Sequence, residues 1–455
     1  MSNAFFSDLM TTIADRGRTL LRLESAPIDP QAQALDLVGL CEQLLSGRGE
    51  ASGTALAREV LDRYARLDDA GRETFFLHLA RDFGPDPARL TPVVEKWEKE
   101  HSDAAATDLH YASEPRRQEL LRRLNRAPGG TAALVVMREH LLALRRNPEM
   151  KVIDKDLVHL LGSWFNRGFL VLRRIDWSST PANVLDKIIR YEAVHAIHDW
   201  NDLRRRIDPI DRRCYAFFHP AMIDEPLIFV EVALTADIPG AVQPLLAEQR
   251  DIVPLKKART AVFYSISNCQ QGLAGISFGN FLIKQVVEEL RRELAKIENF
   301  VTLSPVPGFM NWLMSKGKEQ LSEDDRLIVD TLHDLDWPQH GPFNARAKVV
   351  LEQLAAQYFL EEKAANNRPL DPVARFHLGN GARLERINWL GDRSTKGMLE
   401  SAGLMVNYLY DLDDIEKNHE AYANQGEIAA SSAVRKLLKS SSSRRWLANV
   451  TSAKG

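Results

Sequence analysis

Ser265-Ile266-Ser267-Asn268-Cys269-Gln270-Gln271-Gly272-Leu273-Ala274-Gly275-Ile276-Ser277-Phe278-Gly279-Asn280-Phe281-Leu282 decides the fold class. Its front end continues a β-branched and aromatic run, Thr260 to Ser267, which reads as a strand. Its back end opens a helical pattern from Asn280 to Ile297, with Leu282, Val286, Leu290, Leu294 and Ile297 on one face. Between them lie Gly272, Gly275 and Gly279. Strand, glycine loop and long helix in that order belong to a mixed helix-and-sheet domain. Backbone N–H groups at such a loop, with the positive end of the helix, suit a pyrophosphate. The same glycines would equally serve a tight strand–helix turn. Gly-Lys-Ser/Thr is missing, so the loop is no P-loop. No acid closes a following strand as a dinucleotide fingerprint requires.

Around this stretch, other strands are expected at Leu227–Thr235, with shorter ones at Cys214–His219 and Phe300–Ser304. Residues 311–365 return to helix, Phe376–Trp389 reads as a glycine-rich strand region, and Leu404–Leu412 as a further β-like run. The row Ser440 to Ser443 reads as a frayed end. Before about residue 161 the pattern is helical throughout. Leu56, Val60, Leu61, Tyr64 and Leu67 recur at helical spacing, and similar stripes cover Ala32–Leu45, Glu73–Phe83, Arg116–Leu124 and Ala132–Leu144. Breaks at Gly84-Pro85-Asp86-Pro87 and Pro128-Gly129-Gly130 carry turn chemistry. The expectation is an α+β protein: an all-helical domain over 1–160, of seven or eight helices and without a catalytic cluster, then a catalytic domain over 161–455.

Composition narrows the function classes. Of 455 residues, 45% are hydrophobic and 27% charged, and 59 basic against 62 acidic residues leave a net charge of −3. That balance points away from nucleic acid. No apolar run approaches the roughly 20 residues of a membrane span. Cys41, Cys214 and Cys269 are widely spaced and form no CxxC pair, which fits a reducing compartment, the cytoplasm.

Several side chains can carry chemistry. Ser304 stands at a strand end fixed by Pro305, Pro307 and Gly308. His377 precedes Gly379-Asn380-Gly381, and histidine is the side chain suited to proton transfer near neutral pH. Tyr408 and Tyr410 alternate on a strand-like run and share a face. Ser265 and Ser267, on the strand entering the glycine loop, are expected along the same cleft. Glu192, His195 and His198 have spacings a helix brings together, but lack a third ligand for a metal. Arg204-Arg205-Arg206 with Arg212-Arg213 reads as a solvated basic face, or as a phosphate grip.

Tyr264-Ser265-Ile266-Ser267, Gln270-Gln271-Gly272-Leu273, Gly279 to Lys284, Leu303 to Phe309, Arg386-Ile387-Asn388-Trp389 and Gly403 to Tyr408 together resemble the malonyl-CoA decarboxylase family. Ser163 to Leu170 and Glu225-Pro226-Leu227 fit it too. The resemblance is dense from about residue 160 to 435. It implies a helical N-terminal domain and a GNAT acetyltransferase-like catalytic domain. It implies conversion of malonyl-CoA to acetyl-CoA and CO2 without a metal or organic cofactor. The family's CoA-ester loop falls on Ala274, Gly275, Ile276, Ser277, Phe278, Gly279 and Asn280, with Ser265 as a further binding position. Its catalytic positions fall on Ser304, His377 and Tyr410. Some members carry a glutamate where this chain has Ser277. A homo-oligomer, dimer or tetramer, joined through the helical domain is expected. An acyl-CoA-dependent N-acyltransferase on the same fold, with Glu231 available as a base, is the alternative reading.

Overall fold

The computed structural model describes residues 12 and 30–438, apart from 48, 145–146, 277–281, 316–320, 334–335 and 366. Ser277, Phe278, Gly279, Asn280 and the serine row at 440–443 therefore lie outside the described residues. The chain forms two compact units. The first comprises Met1–Val171 with Phe218–Leu227 and Gln270–Gly279; the second comprises Leu172–Phe217, Ile228–Cys269 and Asn280–Gly455.

The first unit is helical. Its described helices are α1 (Pro30–Leu45), α2 (Glu50–Arg66), α3 (Asp69–Asp82), α4 (Pro87–Glu100), α5 (Asp103–Ser113), α6 (Arg116–Asn125), α7 (Gly130–Ala143) and α8 (Lys151–Trp164). The starts of α3, α4 and α5 follow side-chain capping chemistry. The Asp68 carboxylate accepts the Gly71 N–H at 2.8 Å ahead of α3. Asp86 caps α4 with Pro87 in its first turn, and Ser102 caps α5. Leu37, Leu56, Val60, Phe75, Phe76, Leu134 and Leu157 share one core, which also takes in Met222, Leu227, Leu273 and Ile276 from the two later segments.

The second unit is built on a mixed sheet of β1 (Val171–Ile175), β2 (Arg212–Phe218), β3 (Pro226–Thr235), β4 (Thr260–Asn268), β5 (Asn299–Thr302), β6 (Ser304–Pro305), β7 (Arg383–Asn388) and β8 (Met405–Leu409). The order is β1-β2-β3-β4-β5-β8-β6, with β7 added to β8. Strands β3 and β4 are antiparallel, whereas β4 and β5 are parallel from Thr260↔Asn299 to Phe263↔Thr302. A parallel pair needs a crossover, and α11 (Leu282–Glu293) supplies it. Ahead of it in this unit come α9 (Ala182–Tyr191) and α10 (Trp200–Ile207); behind it come α12 (Gly341–Leu360) and α13 (Pro372–Gly379).

Two sequence expectations are corrected. The helix after the glycine loop ends at Glu293, short of Ile297. The Leu294 N–H closes on the Leu290 carbonyl, and the Ile297 N–H turns back to the Leu294 carbonyl, delivering the chain to β5. The region Phe376–Trp389 is not strand throughout: Phe376 and His377 belong to α13 and the strand begins at Arg383. Asp371-Pro372 is the overlooked signal. The Asp371 carboxylate accepts the Ala374 N–H at 2.8 Å, and proline suits a first helical turn.

Candidate functional site

Strands β4 and β5 part after Phe263 and Thr302. The Leu303 N–H still reaches the Phe263 carbonyl at 2.9 Å. Beyond it the ladder with β4 ends, while the pairing with β8, already made at Val301↔Leu409, goes on with Ser304 opposite Val406 and Pro305 opposite Met405. Strand β4 runs on to Asn268, past the last of its described pairings with β5 at Phe263. Ser304 stands where the two part, and is 5% exposed. Gly308 follows because a Cβ there would sit 2.5 Å from the Tyr358 hydroxyl.

Helix α13 brings His377 to this point. Its Nε2 lies 3.1 Å from Ser304 Oγ, and its Nδ1 lies 2.7 Å from the Tyr410 hydroxyl. The ring stacks on Tyr408 at a centroid distance of 4.6 Å, so the two alternating tyrosines both face the histidine. Tyr410 is held beside β5 by its N–H on the Phe300 carbonyl at 2.8 Å. Burial lowers the His377 pKa to about 3, far from its ordinary value, and pushes both tyrosines up. A neutral imidazole at neutral pH has one N–H and one bare nitrogen. Asp371, which caps α13, is pushed up to about 6 by its own burial.

Ser265 has a different setting. Its hydroxyl donates to the Glu192 carboxylate, 2.8 and 2.7 Å from the two oxygens. Glu192 also accepts the N–H groups of Val194 and His195 at 2.7 and 2.8 Å, so it organises a turn after α9. Ser267 accepts the Ala193 N–H at 3.3 Å. Opposite Ser265 in register stands Glu231, wholly buried, pushed up to about 8 by burial first and by Glu192 second. It lies 3.4 Å from Arg206 Nη1 and has no exposed surface to offer the acceptor amine that an acyltransferase reading would bring to it. Among the described residues, no three or more His, Cys, Asp or Glu side chains are arranged to hold a metal.

The basic cluster is no solvated face. Arg206 is buried between Asp202 and Glu231, and Arg213 is buried against Glu293. Arg212 gives a hydrogen bond to the Leu245 carbonyl at 2.8 Å. Only Arg204 and Arg205 keep substantial exposure.

The described part of the glycine loop belongs to the helical unit. A Cβ on Gly272 would collide with the Val135 carbonyl of α7, so this glycine serves packing. Arg138 of α7 donates to the carbonyls of Gly272 and Ala274 at 2.7 and 2.8 Å, and to Asp154 at 2.8 Å. Ala274 and Gly275 are exposed and Ile276 is buried. Gly275 has φ +77°, and among the described residues no atom lies within 4 Å of where a Cβ on it would sit. Arg138 went unnoticed in the sequence because its partners are carbonyls some 130 positions further on. Thr302, within 2.9 Å of Ser304 Oγ, went unnoticed because a strand threonine looks ordinary.

A helical unit and a mixed-sheet unit that buries a histidine between a serine and a tyrosine is the build of a two-part enzyme. Comparison with known proteins agrees. A family model described as the malonyl-CoA decarboxylase C-terminal domain matches residues 168–448, and its N-terminal counterpart matches 83–165. The chain belongs to the malonyl-CoA decarboxylase family. It is 40% identical over 411 residues to the mitochondrial malonyl-CoA decarboxylase of Anser anser anser, covering 82% of this chain and 81% of that one. The Rattus norvegicus mitochondrial protein of the same name is 36% identical over 413 residues, with 82% and 83% coverage. The crystal structure of malonyl-CoA decarboxylase from Rhodopseudomonas palustris superposes with a TM-score of 0.86 at 58% identity, covering 89% of this chain and 99% of that one. The Agrobacterium vitis structure gives 0.85 at 56%, with the same coverage. Among the described residues, no helix is long and apolar enough to cross a membrane.

Proposed function

We propose that this protein decarboxylates malonyl-CoA to acetyl-CoA and CO2, with Ser304, His377 and Tyr410 as its catalytic groups. The observation that carries the reading is the Tyr410–His377–Ser304 chain, 2.7 and 3.1 Å long in its two links, in a member of this family. Breaking the bond to the carboxylate sends its electron pair into an enolate whose negative charge rests on the thioester oxygen. CO2 departs, and a proton must then reach carbon. No oxidant or reductant is needed, and the one proton each turnover consumes is passed to carbon by the protein and regained from water. Ser304 orients the malonyl carboxylate. His377 delivers the proton, and negative charge growing beside a dry imidazole favours its protonated form. Tyr410 lies behind the ring to replace that proton.

The sheet unit, on this reading, is GNAT-like, and the parting of β4 and β5 is where the acyl thioester enters. The loop Ala274–Asn280 takes the CoA diphosphate, supported by the exposed, left-handed Gly275. The helical unit joins copies of the chain into a homo-oligomer. A reducing compartment, the cytoplasm, is proposed with it, supported by three buried free thiols at Cys41, Cys214 and Cys269. The test is incubation with malonyl-CoA and no acceptor. Stoichiometric CO2 and acetyl-CoA are expected; acyl transfer that needs an added amine would overturn the reading.

A further inference from the structure

Thr302 is the last residue of β5 and is wholly buried. Its Oγ1 receives the Tyr408 backbone N–H at 3.1 Å and the Ser304 hydroxyl at 2.9 Å. Its carbonyl accepts Asn407 Nδ2 at 2.8 Å. The Asn407 side-chain oxygen in turn accepts Asn388 Nδ2 at 2.9 Å and Arg386 Nε at 3.1 Å. The Arg386-Ile387-Asn388-Trp389 and Val406-Asn407-Tyr408 motifs thus converge on one threonine, which they hold by its carbonyl while its hydroxyl faces Ser304.

We propose that Thr302 is a positioning residue that sets the direction of the Tyr410–His377–Ser304 chain. A hydroxyl has one proton to give. Ser304 gives its proton to Thr302, so the hydrogen between Ser304 and His377 comes from the ring, Nε2–H donating to Ser304 Oγ. A neutral ring has one N–H, so Nδ1 is bare and accepts the Tyr410 O–H. The tautomer of a histidine is set by such partners. Thr302 therefore keeps the imidazole proton on the serine side, where the proposed function needs it delivered. Without the Thr302 hydroxyl, Ser304 turns its proton onto Nε2, the ring carries Nδ1–H toward Tyr410, and Nε2 has nothing to give.

The rate consequence rests on the proposed function; the tautomer does not. Thr302→Val keeps the side chain's shape and removes the hydroxyl, and Thr302→Ser keeps the hydroxyl. The full chain labelled with ¹⁵N-histidine is read by NMR, the His377 signals being those missing from His377→Asn. We expect Nε2–H with bare Nδ1 in the parent and in Thr302→Ser, and the proton on Nδ1 in Thr302→Val. We also expect kcat for Thr302→Val to fall about 10- to 100-fold, the usual cost of removing a partner that orients a functional group. KM for malonyl-CoA should stay within about twofold, since only transition-state contacts are lost. Thr302→Ser should keep most of the rate. Nδ1–H in the parent, or Nε2–H in Thr302→Val, overturns the proposal. Should Thr302→Val not fold, the parent and Thr302→Ser tautomers still decide it. A parent that releases no CO2 refutes the functional reading and leaves the tautomer result to judge Thr302.

Discussion

A histidine sealed from water works only through the partners it touches, and His377 touches Ser304 and Tyr410. His377→Asn keeps the approximate size and removes the proton, so CO2 release should fall about 100- to 10,000-fold. Ser304→Ala should lower kcat more than it raises KM. The double variant should be little worse than the poorer single one, because groups acting on one transition state are not additive. Full additivity in initial rates would separate the two residues. Glu231 carries a second prediction. Its carboxyl titrates near 8 in the fold and near 4.5 in the open chain. The folded state therefore holds a proton that the unfolded state has lost between those values. This group's contribution is present below about 4.5 and is lost as pH rises through 8. Glu231→Gln should match the parent in thermal melts near pH 4.5 and gain on it steadily up to pH 8. A constant offset across that range would contradict the assignment. Ser304 and His377 stand out in the sequence because serine beside prolines and histidine beside glycines are unusual settings, and the fold brings them within 3.1 Å. Thr302 does not stand out, because which hydroxyl it faces is decided by where β5 stops.

Among elements, α13 shows why local patterns misread. Glycines after His377 suggested an extended run, whereas Asp371 had already committed the chain to a helix. Removing that cap should cost about 0.5–2 kcal/mol. Asp371→Ala should therefore melt earlier and lose activity, while Asp371→Asn, itself a good cap, should recover the stability. Calorimetry on both variants checks this, and an unharmed Asp371→Ala would refute it. The glycine loop divides differently. Gly272→Ala should destabilise the fold, because its new methyl meets the Val135 carbonyl rather than a movable side chain. The loop's position after a strand could be read from the sequence. Which of its glycines packs and which stays open could not, since that depends on a helix more than 130 residues away.

At the scale of the whole molecule, self-association is the open expectation. Sedimentation of the full chain should give a multiple of 51.4 kDa, and cross-links between isotopically distinct copies should fall in α1–α8. Cross-links confined to the sheet unit would refute the helical contact. The helical periodicity of the first 160 residues was plain in the sequence. The return of later segments to that unit was not, because ten-residue stretches carry no period of their own.

That return bears on heredity. The helical unit is written in three separate places along the chain, Met1–Val171, Phe218–Leu227 and Gln270–Gly279. A single crossover between two related genes near codon 171 would hand most of it to one parent and the rest to the other. Leu273 and Ile276 would then meet a core shaped for different neighbours, and Gly272 a different α7. Chimeras cut there should therefore be viable only between relatives that share those contacts, and natural exchange within such a lineage is expected to spare this junction.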